Sequence, residues 1–125
     1  MASDKLERDA PILLAESHPV YLAVFRRFFD EFQMNNITAT GNGFKVIQLC
    51  RERRFDLIVL GNILSFQDGI RVLRTLRNEG ENTSTPVIFS YEMRREEKAA
   101  RQASSEGASV VFPKSPEEEK KDGGK

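Results

Sequence analysis

The chain has 125 residues, 39% hydrophobic and 30% charged, with 19 Lys and Arg balancing 19 Asp and Glu. That length supports one hydrophobic core; the charge balance leaves no basic excess to attract a nucleic-acid backbone, and no run nears the roughly 20 apolar residues that cross a bilayer. A single cysteine, Cys50, and a single histidine, His18, exclude an internal disulfide and are a poor start for a zinc site.

The opening "MASDKLERDAP" has charges where a secretion signal needs its apolar stretch, so residues 1–10 are expected to be a flexible lead-in to a cytoplasmic protein. "PILLAES", Pro11 to Ser17, is a short continuous apolar run that suits a strand covered on both faces. His18 and Pro19 then start a segment whose Leu22, Phe25, Phe29 and Phe32 fall three or four apart, the spacing of one helix face, widened by Val24 and Phe28. "NNITATGNG" predicts an edge strand around Ile37 and a turn at Gly41 to Gly43. A second helix follows, carrying Phe44, Ile47 and either Leu49 or Cys50, with the thiol half-buried.

"FDLIVL" is the most apolar strand of the chain. After it, "DGIRVLRTLRNEG" predicts a helix with Asp68 as its N-cap, Ile70, Leu73 and Leu76 on one face, and Gly80 as its stop. "TPVIFSY" repeats the strand pattern, "RREEKAARQASSEG" is a weakly apolar helix ending at Gly107, and "ASVVFPK" is a fifth strand. Residues 115–125, "SPEEEKKDGGK", contain no large apolar side chain and are expected to be a disordered charged tail, leaving a domain of residues 11–114.

Strands alternating with helices in this way imply an α/β, doubly wound, mostly parallel sheet, because parallel neighbours need crossover connections. In such sheets the functional crevice lies beyond the carboxyl ends of the strands. No glycine-rich phosphate cradle follows the first strand, which argues against a flavodoxin-like small-ligand-binding protein or enzyme.

The strand ends carry a resemblance. "ILLAESHP", "FDLIVLGNILSFQDG", "PVIFSY" and "EGASVVFPKSP", in that order and spacing, resemble the receiver domain of two-component response regulators, a flavodoxin-like fold with strand order 2-1-3-4-5. The resemblance implies a phosphorylation site in which acidic residues bind Mg²⁺, an aspartate accepts the phosphoryl group, and a hydroxyl and a lysine contact it. The acidic pair falls on Glu16 and Ser17, the phosphoacceptor on Gly61, the switch hydroxyl on Ser90 or Tyr91, and the lysine on Lys114. Gly61 has no side chain to attack a phosphodonor, and Glu16 alone is too few carboxylates for a hard divalent cation.

The resemblance therefore implies a degenerate pseudo-receiver with no cofactor, metal or enzymatic activity: a phosphorylation-independent protein-interaction module in signal transduction. An alternative is the regulatory domain of a longer response regulator or transcription factor. The family continues with a fifth helix, which residues 115–125 lack the apolar side chains to form, so four helices are expected and one sheet face is left open. Phe25, Phe28, Phe29 and Phe112 are the candidate contacts there, for a second copy in a homodimer or for a partner's helix. The family's usual partner surface, around the fourth helix and fifth strand, carries Tyr91, Met93, Arg94, Arg95 and Phe112. Neither direct nucleic-acid binding nor membrane association is expected.

Overall fold

The computed structural model describes residues 7–92 and 96–114. Strands β1 (Ile12–Ala15), β2 (Ile37–Thr40), β3 (Leu57–Gly61), β4 (Val87–Glu92) and β5 (Val110–Lys114) alternate with helices α1 (Pro19–Glu31), α2 (Gly43–Glu52), α3 (Gly69–Asn78) and α4 (Glu97–Ser105). The strands form one parallel sheet in the order β2-β1-β3-β4-β5. This is the flavodoxin-like, doubly wound arrangement.

Local chemistry fixes where each helix begins. The His18 Nδ1 accepts a hydrogen bond from the Val20 amide at 3.1 Å, and Pro19, which lacks an amide hydrogen, occupies the first turn. Asn42 Oδ1 caps α2 through the amides of Phe44 and Lys45, and Asp68 Oδ1 caps α3 through that of Arg71. Gly80, at φ 90°, follows the end of α3 in a left-handed conformation that other residues rarely adopt.

Alternation along the strands divides the core in two. Leu13, Ala15, Ile58, Leu60, Val87 and Phe89 face Val46, Ile47 and Cys50 of α2 and Ile70, Leu73 and Leu76 of α3. On the other face Ile12, Leu14 and Val59 meet Phe29 of α1. Several expectations need correction here. Phe29 is only 5% exposed, so it belongs to the core and is not an open interface residue. Phe44 and Phe32 are exposed instead of buried, because Val46 takes the inward position in α2 and α1 ends at Glu31.

Cys50 is fully buried rather than half-buried, at 1% exposure, and burial pushes its thiol pKa up to about 12 against the opposing pull of Arg53. Asn82, which periodicity does not single out, is a buried tie. Its amide nitrogen donates to the carbonyls of Cys50 and Arg53, and its Oδ1 accepts from the Phe55 amide and the Thr85 hydroxyl. It thus joins the end of α2, the start of β3 and the approach to β4. Residues 1–6 of the expected N-terminal lead-in, the expected tail at 115–125, and Met93, Arg94 and Arg95 lie outside the described residues.

Candidate functional site

The sheet register decides what meets at the carboxyl edge. Ala15 pairs with Leu60, so Glu16, the next residue, comes beside Gly61; Gly61 pairs with Ser90, and Ser90 with Phe112. Two residues beyond Phe112, Lys114 projects to the same face and closes on Glu16. Its Nζ lies 2.9 Å from Glu16 Oε1, with the two side chains 8% and 2% exposed. The other carboxylate oxygen, Oε2, accepts the His18 amide hydrogen at 3.1 Å.

This is a buried, charge-assisted pair with little freedom. Burial costs both ions their hydration, and the direct contact together with the additional hydrogen bond offsets that loss. The Lys114 ammonium also lies 4.3 Å from the centre of the Tyr21 ring, whose negative face favours a cation. Tyr21 in turn reaches Glu92 Oε2 through its hydroxyl at 3.4 Å. Beside these residues lies an open crevice of about 480 Å³ bordered by Ser17, His18, Ile63 and Glu96 among others.

Of the two candidates for the switch hydroxyl, the geometry brings Ser90 to the pair. Its Oγ is 3.4 Å from Glu16 Oε1, while Tyr91 turns to the opposite face and packs against the α2–α3 side of the core. Ser90 is fully buried, so its hydroxyl is not presented to a substrate as a nucleophile. Ser17 is exposed and donates to the Ile63 carbonyl at 2.7 Å, which ties the end of β1 to the loop after β3.

These donors do not fit a divalent cation. Glu16 contacts Lys114 and Ser90, with its Oε1 held by an ammonium and its Oε2 by an amide hydrogen, while Glu92 and Glu96 border the same crevice. No group of three or more His, Cys, Asp or Glu suited to a metal ion exists among the described residues. A hard cation needs several oxygen ligands with free lone pairs.

Sequence reasoning missed Tyr21, Glu92 and Glu96. Tyr21 falls in the first turn of α1, three residues after the cap, where side chains reach back toward the strand ends; that position was the available signal. It also missed an aromatic pair on the same edge, Phe44 and Phe66, with ring centres 6.1 Å apart. Phe66 is 75% exposed and has φ 71°, an uncommon backbone for a bulky residue. The loops carrying this pair are joined by backbone hydrogen bonds from Gly43 to Ser65 and from Ser65 to Gly41, each 2.8 Å.

Comparison with known proteins agrees with the topology. The family model for the response regulator receiver domain matches residues 12–121. The chain belongs to that family. This receiver domain is 30% identical over 78 residues to the probable C4-dicarboxylate response regulator DctR of Priestia megaterium, covering 62% of the chain and 34% of the relative. It is 28% identical over 97 residues to the polar-differentiation response regulator DivK of Brucella anthropi, covering 76% of the chain and 78% of the relative. The match thus spans about a third of the length of DctR and most of DivK. Among solved structures, the receiver domain of the sensor histidine kinase PA1611 from Pseudomonas aeruginosa superposes with a TM-score of 0.73 at 19% identity, covering 91% of this chain and 92% of that one. That likeness concerns the fold; the PA1611 domain was crystallised with magnesium coordinated in its active-site cleft.

Proposed function

We propose that this receiver domain, residues 11–114, works as a phosphorylation-independent protein-interaction module in cytoplasmic signal transduction and is not an enzyme. One observation carries the reading. The Glu16 carboxylate, bound by Lys114, stands where a side chain on Gly61 would begin: an ideal Cβ there would lie 2.9 Å from Glu16 Oε1. The lysine expected to contact a phosphoryl group is thereby already neutralised, and the position expected to accept phosphate has no nucleophile. What remains for signalling is a surface, and binding needs no covalent step.

Acetyl phosphate or beryllofluoride with Mg²⁺ tests this, with an acceptor-containing receiver as positive control. The expected result is an unchanged mass and an unchanged amide spectrum. A phosphoryl adduct, or large shifts around residues 16, 61 and 114, would refute the proposal.

A second reading, the regulatory domain of a longer response regulator or transcription factor, is favoured by the short share of DctR that the match spans. It is compatible with the first and differs in partner. Fusing an output domain to this one and measuring its activity with Glu16 and Lys114 intact or replaced separates them: a regulatory domain alters the output, a free-standing module does not.

A further inference from the structure

We infer that two copies of this chain associate through the groove between α1 and β5, each lending the apolar row of its α1 to the groove of the other. The inference rests on the interaction-module reading and names its partner. The groove has a volume of about 300 Å³ and a wholly apolar lining. Val24, Phe25 and Phe28 of α1 form one wall, Phe112 of β5 the other, and Val59 and Ile88 part of the floor. Phe28 is 51% and Phe112 46% exposed. Apolar surface left in water across so continuous a patch marks an interface.

Groove and filler lie side by side. Val20, Val24, Phe28 and Phe32 are spaced by four, the row that forms a ridge on a helix surface, and all of them are exposed. Phe28 and Phe32 already pack against each other, tilted at 54° with ring centres 4.9 Å apart, which sets the ridge in shape before any partner arrives. A surface with a ridge next to its matching groove is complementary to itself, and a two-fold axis places each ridge in the facing groove.

Charge supplies the further argument for a second copy. Arg27 and Glu31 are exposed, one turn apart, along the outer side of the ridge, and neither forms an ion pair among the described residues. Antiparallel approach of two α1 helices brings Arg27 of each copy toward Glu31 of the other, giving two equivalent attractive pairs at the rim.

Sedimentation equilibrium of the full chain over a wide concentration range tests the pairing. The expected result is a reversible dimer that Phe28→Glu converts to monomer without changing the circular dichroism spectrum. Arg27→Glu should weaken association about tenfold, since two attractive rim pairs become repulsive, and Arg27→Glu with Glu31→Arg should restore it. A monomer at all concentrations, a dimer insensitive to Phe28→Glu, or a charge swap that fails to restore association overturns the inference. A monomer that is still inert to beryllofluoride leaves the module reading standing and removes self-association alone. A response to beryllofluoride would sink that reading whatever the association state.

Discussion

Glu16 and Gly61 stand side by side at the carboxyl ends of neighbouring strands, so close that a Cβ on Gly61 would lie 2.9 Å from Glu16 Oε1 and 3.3 Å from the Ala15 carbonyl oxygen. The backbone of Gly61 is not in the left-handed region, where the positive-φ glycines are Gly80 and Gly107, so an aspartate at 61 meets no backbone strain. The obstacle to it is the Glu16 carboxylate.

Gly61→Asp alone should therefore destabilise the domain, by about 1–3 kcal/mol, as one carboxylate displaces another from Lys114. Adding Ser17→Asp gathers three carboxylates at one edge and should create Mg²⁺ affinity. At Mg²⁺ about ten times the dissociation constant, the double variant should gain ~1.4 kcal/mol in urea unfolding, and the parent none. An equal response of both proteins to Mg²⁺ would show that the ligand set is not what limits metal binding.

The Glu16–Lys114 pair should behave as a unit. Lys114→Met leaves a buried carboxylate without its counter-ion and should cost about 3–5 kcal/mol. Lys114→Met with Glu16→Gln removes both charges, keeps an acceptor for the His18 amide, and should be less costly than the single change. If a double-mutant cycle by urea unfolding gives additive losses, the pair is not coupled as its 2.9 Å separation implies.

Cys50 provides a test of burial. Its thiol pKa stands near 12 in the folded protein against an ordinary value of 9.0. A raised folded pKa means that the folded state keeps a proton the unfolded state gives up, so this contribution is complete below about pH 9 and declines from there to about pH 12. Cys50→Ala should show a shallower loss of stability over that alkaline interval than the parent. At pH 8 the native thiol should resist a disulfide reagent that labels it at once in denaturant. Rapid labelling of the native protein would contradict the buried position.

Asn82 should be among the costliest polar side chains to remove. Asn82→Ala strands the Phe55 amide and two carbonyls in the interior and should cost roughly 2–4 kcal/mol, given about 1–3 kcal/mol for each buried group left unsatisfied and partial relaxation. Asn82→Asp retains the acceptor for Phe55 but loses the donors to Cys50 and Arg53, so it should be destabilised as well. Thermal unfolding of the two variants checks both; a loss below about 1 kcal/mol in each would mean that water replaces the side chain.

The sequence by itself determined the elements, their order and the sheet class. The continuous apolar runs of β1 and β3 are legible because strands covered on both faces need no polar alternation. Asp68, Gly80 and the His18–Pro19 pair mark helix ends through side-chain and backbone chemistry acting over a few residues. The strand ends near Glu16, Gly61, Ser90 and Lys114 could be placed at one edge because crossover topology sends the carboxyl end of every strand the same way. Only the tertiary structure decided what those residues do to one another. Ser90 rather than Tyr91 meets Glu16 because the β3–β4 register sets which side chain turns to the α1 face, and a shift of one residue would reverse it. Phe29 is buried while Phe28 is not, although both lie on the apolar side of α1, because the docking angle of the helix on the sheet divides its apolar face between core and groove. Asn82 carries no periodic signal at all: its partners lie 27 to 32 residues away in the chain, except for the nearby Thr85. Periodicity records how a residue sits on its own element; contacts between elements depend on register, crossing angle and distance, which only the folded chain fixes.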